Sequence, residues 1–353
     1  MPTEEINSPN SEVPSATEDL PEAKPGANLL FARFLPASPL IPTLNSPIFW
    51  LAAFVLLNFI VPFFDISSQA IAVLGALSLT FAYIAIVLCF AATVALRRLS
   101  LTSIIVAGVL ALCFWLLMDK VIAPGIMQPL VAELRSSRAQ PSTAQMLQIL
   151  LATTFTDLAI LLTAVCGGNL AARMIRSPNM IGPVCVALAL VDIWGVLFGG
   201  ITKQMLDNIP EVAEKAMTKG PLIGAATSST YAIPLPAIGF GDYLFIGLLL
   251  GVLVIHNLNW RAAMNWIAPL VCVTLFSISF GLIPYALPGL VPIALGAAIP
   301  NRQVLLYTRE EKFAFLYAGI LVVILMCVLN FISKNVLQKP SATQQKSQFN
   351  PIK

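Results

Sequence analysis

The chain has 353 residues, of which 58% are apolar and only 10% charged, with a net charge of +3. A soluble domain carries about 25% charged residues, so this composition excludes an ordinary soluble protein and points to an all-α, polytopic membrane protein set in a lipid bilayer. The small net charge gives no basis for nucleic-acid binding. The six cysteines (Cys89, Cys113, Cys166, Cys185, Cys272, Cys327) lie in apolar runs without metal-like spacing and read as packed free thiols.

Residues 1–46 divide into an acidic tail and a proline-rich strip. The first 25 residues hold six acids against the single Lys24, and such a segment buries too little apolar surface to order itself. Pro36, Pro39, Pro42 and Pro47 then suit an irregular strip at the membrane surface better than a span. About 20 apolar residues cross the hydrocarbon core. On that measure the helical domain, residues 47–333, holds about nine transmembrane helices. The expected spans are 48–64, 70–96, 101–122, 146–170, 181–201, 239–258, 262–283 and 313–332, with 284–300 a short span or a re-entrant hairpin broken by Pro284, Pro288 and Pro292.

A longer loop is expected between Lys120 and Gln145. Residues 202–237 should leave the membrane as a short amphipathic helix, with 227–233 the piece best suited to a strand. Residues 334–353 carry lysine as their only charge and read as a basic tail attracted to anionic headgroups. Arginine pairs in two short loops, Arg97-Arg98 and Arg173/Arg176, favour a cytosolic N-terminus.

The chemistry sits on acids placed inside apolar runs, which cost several kcal/mol unless paired, protonated or hydrated. Asp192 lies on the fifth expected span. Asp242 closes Gly239-Phe240-Gly241-Asp242 at the start of the sixth, and Ala286-Leu287-Pro288 follows the seventh. Two carboxyls sharing one proton supply a base to activate water and an acid to protonate a carbonyl oxygen or a leaving nitrogen, without metal or cofactor. Glycines at 239 and 241 let backbones approach Asp242 closely.

With these three landmarks in order, the chain resembles the presenilin and signal peptide peptidase family of intramembrane aspartyl proteases. In that family one Asp lies on a membrane helix, the second lies in a Gly-x-Gly-Asp motif on the next, and a Pro-Ala-Leu-Pro motif follows. The resemblance covers about residues 181–300. It implies Asp192 and Asp242 as the catalytic pair, Gly239, Gly241, Ala286, Leu287 and Pro288 as substrate-binding positions, and membrane-spanning proteins or peptides as substrates. It also implies that an unwound substrate segment adds to strands near the second motif, for which 227–233 and 286–288 are the candidates. The chain departs from the family pattern at Val191, where Tyr is usual, and at Tyr285, which replaces the first proline.

Asp157 is a third acid inside an apolar run. With Asp192 it offers the alternative of a proton-coupled transporter; the plainer expectation is an Asp paired within the bundle, with Asn58 or Asn169 as partner. A catalytically inactive relative is the other alternative. His256, the single histidine, suits an interfacial position. It excludes a zinc site that needs two histidines.

Overall fold

The computed structural model describes residues 46–64, 68–137, 142–197, 217–218, 222–223, 233–234, 237–279, 288–305 and 307–337. Its helices are α1 (Pro47–Ile60), α2 (Gln69–Leu96), α3 (Leu101–Leu117), α4 (Ala123–Ser137), α5 (Thr143–Ala172), α6 (Ile181–Leu197), α7 (Phe240–Ile255), α8 (Trp260–Ser279), α9 (Leu290–Ala298) and α10 (Arg309–Leu337). A π-helical turn, Met118–Ile122, joins α3 to α4 without a break, so the described residues form nine helices. Four stretches are long and apolar enough to cross a bilayer: Ile71–Leu96, Leu101–Leu130, Thr143–Ala172 and Pro178–Val196. The protein is a multi-pass integral membrane protein.

Local chemistry sets the helix starts. Pro47 opens α1, where its fixed φ costs nothing. Ser68 and Ser100 accept the backbone N–H groups of Ile71 and Ser103 to cap α2 and α3. Ser142 and Gln145 form a reciprocal capping box on α5.

Helices α5 and α7 form the central pair, with the most extensive contact between any two helices. Lipid is as apolar as leucine, so helices in a membrane gain from close packing rather than from escaping water. Small residues permit that approach here. A Cβ on Gly168 would lie 2.1 Å from the Leu244 carbonyl oxygen, and one on Gly247 would lie 2.9 Å from that of Val165. Around this pair α2 packs on α1, α7 and α8, while α9 packs against α6 and α8.

Two short antiparallel ladders precede α7. Met217 and Thr218 (β1) pair with Gly239 and Ile238 (β4), and Leu222 and Ile223 (β2) pair with Pro234 and Ile233 (β3). Both ladders share one register, that of a single hairpin whose base meets the start of α7.

Several expectations are corrected. The segment expected as a loop from Lys120 to Gln145 is helical through Ser137, because the Asp119–Lys120 ion pair (3.2 Å) carries charge through the π turn without ending the helix. Of the 227–233 piece only Ile233 is described, and it lies in β3 as expected, while Met217 and Thr218 add a pairing that was not expected. Cys113 and Cys327 are exposed, unlike the other four cysteines. The expected amphipathic helix lies mostly outside the described residues, as do the two tails. So do residues 280–287, and the part of 284–300 that is described contributes the nine-residue α9 and the 3₁₀ turn after it.

Candidate functional site

Asp192 and Asp242 come from different helices and converge on one dipeptide. Asp192, eleven residues into α6, accepts the Leu290 backbone N–H at 2.6 Å through Oδ2, a short charge-assisted bond. Asp242, in the first turn of α7, has its Oδ1 3.0 Å from where a Cβ on Gly289 would stand. Both side chains are half-buried.

The local sequence explains why the second carboxyl sits where it does. Gly239 is extended (φ −75°, ψ 155°) and serves as N-cap of α7. Its N–H donates to Asp242 Oδ2 at 3.1 Å. Asp242 therefore satisfies one of the N–H groups that every helix start leaves unpaired, and its negative charge lies at the positive end of the helix dipole.

The substrate-binding positions inferred from the sequence fare differently. Gly239 is half-buried and lies in β4, while Gly241 is exposed with nothing within 4 Å of a Cβ built on it. Pro288 is buried at the approach to Gly289. Ala286 and Leu287 lie outside the described residues. The glycine pressed against Asp242 is Gly289, which no sequence motif marks. The only signal for it was its place immediately after Pro288. Leu290, whose N–H holds Asp192, carried no sequence signal because its contribution is a backbone group.

One cavity is lined by Asp242, and a second lies between the helices nearby. The first, about 20 Å³, is lined by Asp242, Gly289, Thr274, Ile238 and Ile293 among others, which is room for a single water. The other, about 610 Å³, is an apolar groove between α6, α9 and α10. Leu190, Val291, Gly182 and Ala298 are among its lining residues, and neither acid is.

Asp157 lies elsewhere. It is buried on α5. The proposed partners Asn58 and Asn169 turn their amide N–H groups to the carbonyls of Phe54 and Val165 on their own helices. Tyr83 and Tyr243 share a hydrogen bond of 2.8 Å, and Tyr243 shares another of 2.8 Å with Thr218. His256 ends α7 far from Asp242, with Nε2 3.0 Å from the Ile175 carbonyl oxygen. Ser277 donates to the Val273 carbonyl of its own helix. Among the described residues, no three His, Cys, Asp or Glu side chains gather into a metal-binding group.

No protein-family model matches the chain, and comparisons with curated proteins and with solved structures likewise find no match. The resemblance therefore rests on the three motifs, and the chemistry rests on the geometry of the two acids.

Proposed function

We propose that the protein is an intramembrane aspartyl protease of the presenilin and signal peptide peptidase type, with Asp192 and Asp242 as its catalytic pair. The single observation that carries this reading is the convergence of two acids, from α6 and α7, on the Gly289-Leu290 dipeptide. Two neighbouring carboxyls are costly to ionise together, so in this reading the pair shares one proton and acts as a unit. The ionised carboxylate takes a proton from water as its oxygen attacks the scissile carbonyl. The protonated partner gives its proton to the carbonyl oxygen. Collapse of the tetrahedral intermediate then returns a proton to the leaving nitrogen. The small cavity at Asp242 suits the attacking water. The groove between α6, α9 and α10 has an almost wholly apolar wall, which suits a membrane-spanning peptide as substrate.

A second reading has a specific observation in its favour. Each carboxylate already accepts a backbone N–H at the start of a helix, so both acids would serve if they were helix caps alone, as in an inactive relative. The transporter alternative gains no comparable support, since the contacts that bring Asp192 and Asp242 to Gly289-Leu290 do not include Asp157. The test is cleavage of an apolar helix peptide by the purified protein in detergent. Proteolysis should stop in Asp192→Ala and in Asp242→Ala. It should also be inhibited more strongly by a hydroxyl-bearing transition-state analogue than by its deoxy counterpart. Cleavage that survives both replacements would end the proposal.

A further inference from the structure

A buried hydroxyl chain terminates on the peptide unit that holds Asp242. Thr218, Tyr243 and Tyr83 are 0%, 0% and 4% exposed, and hydroxyls so deep in a low-dielectric interior are costly without partners. Thr218 Oγ1 donates to the Ile238 carbonyl oxygen at 3.1 Å. Each hydroxyl carries one proton, so with the Thr218 proton committed, Tyr243 donates to Thr218 and Tyr83 donates to Tyr243. The chain thus has one direction, from α2 through the first turn of α7 to β1 and on to β4.

The Ile238 carbonyl and the Gly239 N–H belong to the same planar peptide unit. Thr218 holds its oxygen at one edge, and the N–H at the other edge donates to Asp242 Oδ2 at 3.1 Å. Fixing the oxygen fixes the direction of the N–H. Polarising the amide at its oxygen also strengthens the bond it donates.

We infer that Thr218, its hydroxyl oriented by Tyr243 and Tyr83, is a positioning residue that aims the Asp242 carboxyl through the 238–239 peptide. The inference rests on the proteolytic reading for its catalytic consequence, but its structural half stands without it.

The test uses the full chain in detergent with Thr218→Val, which keeps the shape and deletes the hydroxyl, and Thr218→Ser, which keeps the hydroxyl. Hydrogen exchange at the Gly239 amide should speed up roughly tenfold in Thr218→Val, the scale of one lost hydrogen bond, and return to the wild-type rate in Thr218→Ser. Cleavage of an apolar helix peptide should lose about tenfold in kcat with KM nearly unchanged, and Thr218→Ser should restore it. If Thr218→Val does not give a cooperative unfolding transition, Tyr243→Phe takes its place in both measurements. Wild-type exchange in the hydroxyl-deleted variant overturns the inference. So does faster exchange with kcat unchanged, because the hydroxyl would then brace the strand without aiming the acid. A wild-type protein that cleaves nothing defeats the proteolytic reading instead, and the exchange rates alone then decide for or against the brace.

Discussion

At the scale of single residues, the two acids could be read from the sequence because a carboxyl in an apolar run is conspicuous. What surrounds them could not. Leu290 contributes only its N–H, and Gly289 contributes the lack of a side chain, which looks the same in sequence whether it serves a turn, a kink or a contact. Gly289 has φ −70° and ψ −27°, conformations that alanine adopts freely, so Gly289→Ala tests space alone. The added methyl would stand 3.0 Å from Asp242 Oδ1 and should push the carboxyl off its position. Peptide cleavage should fall by at least about tenfold while the thermal midpoint shifts little; unchanged cleavage would show that the acid tolerates displacement. Asp157 was legible as a buried acid, but the buried hydroxyl chain was not legible at all. Tyr83 lies 160 residues from Tyr243, and nothing local to either announces the other.

Elements were legible where apolar runs are long. The expected spans 70–96 and 146–170 appear as α2 (Gln69–Leu96) and α5 (Thr143–Ala172), with serine caps at their starts. The failure at α3–α4 has a physical cause. Asp119 and Lys120 look like the end of a span, yet adjacent opposite charges neutralise each other, and a π turn accommodates them within a continuing helix. The hairpin ladders were hard to see because each is two residues long and depends on its partner strand for stability.

The contact between α5 and α7 gives a prediction at this scale. Gly168→Ala would drive a methyl into the Leu244 carbonyl and the Leu248 amide of the neighbouring helix, 2.1 and 2.6 Å away. It should destabilise the protein by about 1–3 kcal/mol or more in detergent unfolding. Gly75→Ala on α2, with nothing within 4 Å of the new methyl, should be neutral or stabilising by about 0.5–1 kcal/mol. Equal effects of the two would contradict the close α5–α7 packing.

The whole molecule has a polar layer and a basic face. Arg98 donates to the Asn257 side chain (3.2 Å), Arg173 donates to the Leu99 carbonyl, and His256 meets the Ile175 carbonyl. The α2–α3, α5–α6 and α7–α8 loops therefore gather on one side. The helix rise of 1.5 Å per residue gives depths from that side. Asp192 lies about 17 Å in from Ile181, Tyr83 about 20 Å from Leu96, Asp242 about 21 Å from His256 and Asp157 about 22 Å from Ala172. All four fall within a hydrocarbon core about 30 Å thick. Single cysteines placed at Arg98, Arg176 and Asn257, in a background without the six native cysteines, should all react with an impermeant thiol reagent from the same side of sealed vesicles. Under the positive-inside rule the arginine pairs on that side favour the cytosolic face. Labelling from opposite sides would refute the arrangement of the loops.

The central claim is that Asp192 and Asp242 work as one catalytic unit at Gly289-Leu290, and asparagine replacements test it most directly. Asparagine caps a helix about as well as aspartate, so the fold is kept while acid–base chemistry is removed. The measurement is kcat for an apolar helix peptide in Asp192→Asn, Asp242→Asn and the double variant. The account predicts losses of at least about 1,000-fold in each single variant and no further loss in the double, as for residues that act as a unit. A single variant that keeps near wild-type turnover, or losses that multiply in the double, would contradict it.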